Sequence, residues 1–428
     1  MKILPMLAAF AIAAAPLPVS AQMSPASADA SVRKVTESAR YKKAAAALDA
    51  GHDKWVTDTI TLTEIPAPPF KEAARAEAYL EMFKARGLSE VEIDEAGNVL
   101  GLRKGTAGGP VLIVSAHLDT VFPEGTNVKV RREGDTLHAP GVGDDSSGLA
   151  TQIALIDSMN AADIATKSDI LFVGTVGEEG LGDLRGVRHL FNAGKYKGRA
   201  KAFISLDGGG MDSMVSGGAG SKRYRATFKG PGGHSYGAFG LVNPMGALAG
   251  TVAALYAISV PANPKTTYSA SVVGGGTSVN AIPEEVWLEV DMRSESAAEL
   301  ATLEQAFLAG AERAVAAENA ARSTREGKVS VEMKPIGDRP AGQTPESADI
   351  VRLAAAAWKA EGLTLGLGSA STDANLPMSL GIPAVTLSRV ARGGRAHAPD
   401  EWIGIEKVDN VKLKRMALAT ILALAGMR

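Results

Sequence analysis

The 428-residue sequence contains no cysteine and carries almost no excess charge. Without cysteine there are no disulfides, no zinc–thiolate sites and no cysteine nucleophile, so a bound metal would need His, Asp or Glu ligands. The net charge is −2 and Lys and Arg form no basic tract, which excludes the usual surface of a nucleic-acid-binding protein. Hydrophobic residues make up 46% of the chain, which is enough to fill the cores of two domains.

The first 21 residues have the composition of a cleaved signal peptide. Lys2 precedes an apolar run at residues 3–18, and small residues follow at the positions expected just before a cleavage site. The run is short for a membrane span and two prolines interrupt it, which favours a cleaved leader over an uncleaved anchor. We therefore expect a periplasmic or secreted protein that is not held in a membrane after cleavage. The mature chain should begin with a mobile polar stretch at residues 24–30.

Strand and helix patterns alternate along residues 32–221 and again along 337–428. Short β-branched apolar runs are typical of buried central strands, and helical periodicity lies between them. A hairpin is expected where residues 91–93 and 99–102 flank a turn. The alternation predicts an α/β domain with a mixed sheet and helices on both faces. The expected strands are residues 111–115, 170–175, 202–206 and 384–387, and the expected helices are 73–86, 148–159, 187–193 and 348–360.

The pattern changes at residues 222–336, where the expected elements follow the order βαββαβ. That order is self-contained and predicts a ferredoxin-like domain inserted into the first one. The expected strands are residues 223–229, 267–273, 286–293 and 328–334, and the expected helices are 243–258 and 297–321.

Five acidic or histidine-containing segments stand out, and four such clusters follow predicted strands. Each is weak evidence alone, because Asp-Asp turns and surface histidines are common. Together they occur where open α/β sheets place their ligand sites. Carboxylates and imidazoles without thiolates suit zinc, manganese or cobalt. The five segments are SAHLDT (115–120), GVGDDSSG (141–148), GEEG (177–180), LDGGG (206–210) and GGRAHAPDE (393–401).

Two pairs within these segments suggest a division of roles. His117 and Asp119 lie two residues apart, so Asp119 could hydrogen-bond the His117 ring and fix its tautomer for metal binding. Adjacent glutamates at a strand end point in different directions. One of Glu178 and Glu179 could therefore bind metal while the other stays free to take a proton.

The order and spacing of the five segments resemble the M20 metallopeptidase family over essentially the whole mature chain. The resemblance implies that Asp144 bridges two metal ions, followed by a cis peptide bond. It further implies that Glu178 is the general base for a metal-activated water, with Asp119 behind His117. The other implied metal ligands are His117 and Asp207 at one ion, and Glu179 and His397 at the other.

The inserted domain carries a further matching segment, GPGGHS (230–235). The resemblance implies that this domain is a lid whose His234 stabilises the oxyanion, supplied in dimeric members by the partner subunit. The short lid without a duplicated copy resembles that of the dimeric members, so the resemblance also implies a homodimer formed through the lid. Asn280 and Arg293 match lid positions that hold substrate, and a guanidinium suits a substrate carboxylate.

These observations predict an exopeptidase that hydrolyses short peptides with two divalent ions. Zinc is the expected metal, and cobalt and manganese are the alternatives. An amidohydrolase that deacylates N-acyl amino acids would share every catalytic residue and differ in pocket lining, which the sequence does not resolve. A non-catalytic binding protein on the same scaffold is disfavoured, because no metal ligand and no base is missing.

Overall fold

The computed structural model describes residues 22–428, and the predicted signal peptide lies outside the described residues. The α-helices are α1 (Pro25–Thr36), α2 (Ala39–Ala50), α3 (His52–Thr63), α4 (Ala73–Lys84), α5 (Gly148–Ala161), α6 (Arg185–Asn192), α7 (Pro244–Tyr256), α8 (Ala297–Ala321), α9 (Asp349–Ala360), α10 (Asn375–Ser379) and α11 (Lys407–Ala425). The β-strands are β1 (Ser89–Ile93), β2 (Val99–Arg103), β3 (Val111–His117), β4 (Arg131–Glu133), β5 (Thr136–His138), β6 (Ile170–Thr175), β7 (Ala200–Gly209), β8 (Ser213–Gly218), β9 (Gly220–Lys229), β10 (Gly233–His234), β11 (Thr266–Gly275), β12 (Ala281–Ile282), β13 (Glu285–Ser294), β14 (Ser330–Arg339), β15 (Gly342–Gln343), β16 (Gly366–Ala370), β17 (Ala384–Val390), β18 (Gly393–Gly394) and β19 (Trp402–Gly404).

The larger domain is built on a nine-stranded mixed sheet. Its strand order is β1-β2-β6-β3-β7-β17-β8-β15, with β16 also paired to β8. The central strands β6, β3, β7 and β17 run parallel, whereas β1, β2 and β15 pair antiparallel with their neighbours. Because the four central strands are parallel, their carboxyl ends meet at one edge of the sheet. The predicted hairpin is β1–β2.

Helices cover both faces of this sheet, as the sequence predicted. Every residue of β3 is buried, and its alternate side chains point to opposite faces. Val114 belongs to one core, which includes Ile153 of α5 and Trp358 of α9, whereas Ile113 belongs to the other, which includes Leu190 of α6. Each fully buried side chain of this size contributes about 1.5–3 kcal/mol.

The inserted lid domain has the predicted ferredoxin-like order. Its four-stranded antiparallel sheet runs β11-β13-β9-β14, and α7 and α8 pack on each other and against this sheet. A separate core forms between helices and sheet, with Phe228 and Phe307 among its buried members. Strand β11 lies at one edge, and Val272 and Val273 on it are exposed.

Several segments differ from the sequence-based expectation, among them helix α1 and strand β14. Residues 24–30 were expected to be mobile, but helix α1 begins at Pro25, and the Ser24 hydroxyl caps it by accepting from the Ser27 N–H. Ala28 and Val32 bury one face of α1, which packs against α9, so tertiary contacts stabilise a segment of weak apolar periodicity. Strand β14 continues to Arg339, beyond the expected end at residue 334.

Candidate metal centre and active site

The predicted donors lie together at the carboxyl edge of the central sheet. His117 is the last residue of β3, Asp207 lies near the end of β7, and Glu178 and Glu179 follow β6. These three strands are neighbours in the sheet, so residues far apart in sequence converge. Loops supply the remaining two donors, Asp144 before α5 and His397 between β18 and β19.

Asp144 lies at the centre of the group. Its Oδ1 is 2.9 Å from Nε2 of His117, and its Oδ2 is 3.2 Å from Nε2 of His397. His397 Nε2 also lies 2.8 Å from Oε1 of Glu179, and His117 Nε2 lies 3.8 Å from Oδ1 of Asp207. The structure therefore brings all five predicted metal ligands together, with one carboxylate facing a histidine on each side. Imidazole and carboxylate donors at this spacing fit divalent metal ions.

Glu401 holds the loop that carries Asp144. Its buried carboxylate accepts from the backbone N–H groups of Gly141, Gly143 and Asp144 at 2.7, 2.9 and 2.8 Å. A Cβ on Gly143 would lie 2.7 Å from Glu401 Oε1, so glycine is needed for this approach. The Asp144–Asp145 peptide bond is cis. Because Glu401 lies four residues after His397, it joins two of the ligand-bearing loops.

The contacts of Asp119 differ from those expected. The ring Nδ1 of His117 donates to the main-chain oxygen of Asp119 at 3.0 Å, while the Asp119 carboxylate lies 3.6 Å from Nδ1. That carboxylate accepts the N–H groups of Glu178 and Glu179 at 3.0 and 2.8 Å. Asp119 thus orients the two glutamates through their backbone, and its carbonyl fixes the His117 tautomer that leaves Nε2 free for a metal.

An arginine pairs with Glu178 in the wall of the site. Oε1 of Glu178 lies 3.0 Å from Nη1 of Arg339, and both side chains are 5% exposed. Nη2 of Arg339 also donates to the Glu178 main-chain oxygen. Burial raises the pKa of Glu178 well above its usual range, against the opposing charge of Arg339 and with the added repulsion of Glu179. A buried carboxyl of raised pKa at a cavity is suited to accept and return a proton.

Without metal, burial and neighbouring side chains shift the pKa values of the donors. Burial disfavours the imidazolium of His117, but the neighbouring carboxylates of Asp119 and Asp144 outweigh it and raise the pKa of His117 well above the usual value. Hydrogen bonds with Asp144 and Glu179 raise the pKa of His397 to about 10. Burial raises the pKa of Asp207 to about 7. Metal binding would therefore have to displace protons from both histidines.

A second arginine, Arg389, contacts the donor group from β17. Its Nη1 donates to the side chain and the main-chain oxygen of Asp207. Nη2 lies 3.6 Å from Oδ1 of Asp144, and Nε lies 3.5 Å from Oδ1 of Asp145. Burial disfavours the charged form of Asp144, but Arg389 and His117 keep its pKa well below the usual range. A fixed positive charge therefore lies beside the proposed metal ligands.

A cavity of about 370 Å³ opens over these residues, and Glu178 and His397 are part of its wall. The lid contributes Arg223 and Arg293 to the wall. Both arginines pair with Asp291, at 2.9 and 2.7 Å, so the three residues together carry one net positive charge towards the cavity. A larger cavity of about 740 Å³ near α9 and α11 has none of the donors in its wall.

The other two predicted lid residues lie elsewhere. His234 and Asn280 are exposed and adjacent: His234 pairs with Ala281 in the β10–β12 ladder, and the Asn280 carbonyl accepts from the Ser235 N–H at 2.9 Å. Neither is in the wall of the cavity. Residues 233–237 also match the Gly-x-Ser-x-Gly spacing of serine hydrolases, but here a two-residue strand leads into a turn rather than a helix, so no nucleophile elbow forms.

Sequence reasoning missed three residues of the site. Arg389 could have been noticed as a charge inside a predicted buried strand, because buried charges are rare unless paired. Glu401 lies inside the quoted His397 segment, but nothing local indicates that its carboxylate binds a distant loop. Arg339 has no local signal, because it lies beyond the expected end of its strand at residue 334.

Comparison with known proteins shows the family to which the chain belongs. The model of peptidase family M20/M25/M40 matches residues 113–419. The uncharacterized protein YqjE of Bacillus subtilis (strain 168) is 26% identical over 340 residues, covering 76% of this chain and 84% of YqjE. Aminopeptidase PepT from Bacillus cereus superposes with a TM-score of 0.70 at 22% identity, over 87% of this chain and 99% of PepT.

A third similar protein is YXEP of Bacillus subtilis, described as a dinuclear metal-binding peptidase of the M20 family. It superposes with a TM-score of 0.64 at 18% identity, over 88% of this chain and 99% of that one. Both solved structures share the fold, including the lid. The family match covers most of the chain and all five donor segments. The chain therefore belongs to peptidase family M20/M25/M40, a family of metal-dependent hydrolases.

Proposed function

We propose that this protein is an exopeptidase that hydrolyses short peptides with two divalent metal ions and Glu178 as general base. The observation that carries the proposal is the position of Asp144, whose two oxygens face different histidines. One carboxylate facing two donor sets is what a bridged pair of ions requires. The description of the similar protein YXEP as a dinuclear metal-binding peptidase supports the number of ions.

The donors divide into two positions. The inner position consists of His117, Asp144 and Asp207, and the outer position of Asp144, Glu179 and His397. The names follow burial, because the His117 side chain is 1% exposed and the His397 side chain is 54% exposed. Zinc suits these ligands best, and cobalt and manganese would also fit.

The chain's own residues account for the proton transfers. When bound, the ions would acidify a water molecule and polarise the scissile carbonyl. Glu178 lies in the cavity wall with a raised pKa, so it can take the proton of the attacking water and return it to the leaving amine. Arg339 donates to both the carboxylate and the main-chain oxygen of Glu178, and Asp119 accepts from the backbone N–H of Glu178.

The lid wall supports a substrate with a free carboxylate. Arg293 is half exposed at the cavity, and Arg223 beside it shares Asp291. A guanidinium pairs well with the terminal carboxylate of a peptide. An N-acyl amino acid carries the same carboxylate, so aminoacylase-like activity is the alternative function. A binding protein without catalysis is disfavoured, because the base and all five donors converge.

We further propose that a homodimer completes the site. His234 and Asn280 are adjacent on the lid and absent from their own cavity wall, so a partner's lid would have to deliver both. Tyr236 and Phe239 on the same loop are 89% and 86% exposed, which fits a surface that another molecule covers. Short peptides would then react in a site formed by two chains.

The proposal also covers the cleavage of the signal peptide and the boundaries of the domains. We propose cleavage after residue 21, giving a periplasmic or secreted enzyme. Residues 32–221 and 337–428 would form the catalytic domain, and residues 222–336 the lid and dimerisation domain. Among residues 22–428, no helix is long and apolar enough to cross a membrane.

The test combines metal analysis with a substrate panel. Gently purified protein should hold close to two equivalents of divalent metal per chain, and a chelator should abolish activity. A panel of dipeptides, tripeptides and N-acyl amino acids separates exopeptidase from aminoacylase activity. Full activity with one tightly held ion would rule out the two-metal mechanism. Metal loading without hydrolysis of any panel member would favour the binding-protein alternative.

A further inference from the structure

Arg389 is an unusual neighbour for a proposed metal centre. It is buried, and its guanidinium contacts the carboxylates of Asp207, Asp144 and Asp145. Two of these residues are proposed metal ligands. A permanent positive charge therefore shares its partners with the ions that the site would hold, and no step of the proposed mechanism uses it.

The Arg389 charge lies nearer to one side of the site than to the other. Arg389 lies by Oδ1 of Asp144, the oxygen that faces His117, and it also pairs with Asp207. Both contacts belong to the inner position. At the outer position Glu179 and Asp144 Oδ2 face His397. His397 loses its proton, and with it its positive charge, when it binds metal, whereas Arg389 keeps its charge. The nearby Arg339 is paired with Glu178, which is not a ligand.

We propose that Arg389 makes the two metal positions unequal, so that the inner position binds its ion more weakly than the outer position. The inference rests on the proposed two-metal function. Like charges repel strongly at buried sites, where the effective dielectric is low. The guanidinium also neutralises part of the charge that Asp207 would offer an ion. Without metal, the same guanidinium offsets the repulsion among three buried carboxylates and stabilises the fold.

The consequence is ordered loading. The outer position fills first, and the inner position fills only when the free metal concentration is high enough. Since both ions are needed for the proposed chemistry, activity would follow the supply of the second ion. Because Arg389 offsets the repulsion among the carboxylates, the protein would be folded before either ion binds.

The test is a zinc titration of the metal-free full-length protein by calorimetry, with a competing chelator. Wild type should show two events of different affinity. Arg389→Gln, which keeps a hydrogen-bond donor but removes the charge, should tighten the weaker event about 10- to 100-fold, the range typical of changes behind a metal ligand. Arg389→Lys keeps the positive charge and should therefore keep the difference in affinity between the two zinc-binding events. Metal-free Arg389→Gln should also melt at a lower temperature than metal-free wild type.

Arg415→Met is the matched control, because it removes a partly buried arginine paired with Glu361 outside this site. It should change neither zinc affinity. If Arg389→Gln does not fold, Arg389→Met must show the same tightening. Weaker zinc binding in both the Gln and Lys variants would overturn the proposal, since Arg389 would then only orient Asp207. Two equal events in wild type, unchanged in Arg389→Gln, would also overturn it and leave the two-metal function intact. If wild type binds fewer than two ions, the proposed function itself fails.

Discussion

Replacing Glu178 by glutamine separates the proposed base from the proposed ligands. Glu178→Gln should retain both metals, because the Glu178 carboxylate contacts Arg339 and not the histidines. Turnover should fall about 10²- to 10⁴-fold, the usual contribution of a general base, which corresponds to about 2.7–5.4 kcal/mol of activation free energy. Removing a partner from a buried ion pair costs about 3–5 kcal/mol of stability. The loss should be smaller here, because the amide oxygen can still accept from Arg339.

Glu179→Gln is the matched control for this experiment. Glu179 Oε1 lies 2.8 Å from His397 Nε2, within the proposed outer position, so this change should lower metal content. The assay measures metal per chain by elemental analysis, kcat on a peptide substrate, and thermal denaturation for both variants. Near-normal turnover of Glu178→Gln would refute its role as base. Loss of metal from Glu178→Gln, with retention by Glu179→Gln, would reverse the two assignments.

Three further predictions test other parts of the structure. Glu178→Gln and His234→Ala, unfolded and refolded together, should regain activity that neither has alone, because mixed dimers contain one intact site; mixtures that stay inactive, or an active monomer by sedimentation, would contradict the shared site. In Glu401→Gln the new side chain cannot accept all three backbone N–H groups of the Asp144 loop, so zinc binding should weaken about 10- to 100-fold in a chelator competition. Unchanged zinc affinity would mean that the loop keeps its conformation without Glu401. Lys414 is buried against Trp55, and this burial lowers the pKa of Lys414 well below its usual value. The unfolded state therefore binds more protons than the folded state, so the free energy of unfolding rises with pH up to about 10.4. Lys414→Met should therefore add about 1–3 kcal/mol at pH 7 in urea denaturation and flatten the pH dependence; equal or lower stability at pH 7 would show that the buried amine is compensated.

Much of the fold could be predicted because its signals are local. Helix α8 has the predicted bounds, Ala297–Ala321, since its periodicity and its Ser296 cap both lie in the segment itself. The buried central strands were recognised from continuous apolar runs. Helix α1 was missed because its stability comes from packing on α9, which its own residues do not indicate.

The sequence by itself supplied the candidate donors and the candidate base, because each lies in a short segment that resembles a family motif, and three of these segments follow recognisable strands. Only the tertiary structure decided what surrounds them. The Glu178–Arg339 pair joins residues 161 positions apart, and the contact of Arg389 with Asp207 spans 182 positions. The sequence pattern of neither segment reveals such a pair, because the partner that stabilises a buried charge is brought close only when the chain packs. The ends of the strands can be recognised from the local sequence, whereas the charges that surround the donors are decided by the tertiary structure.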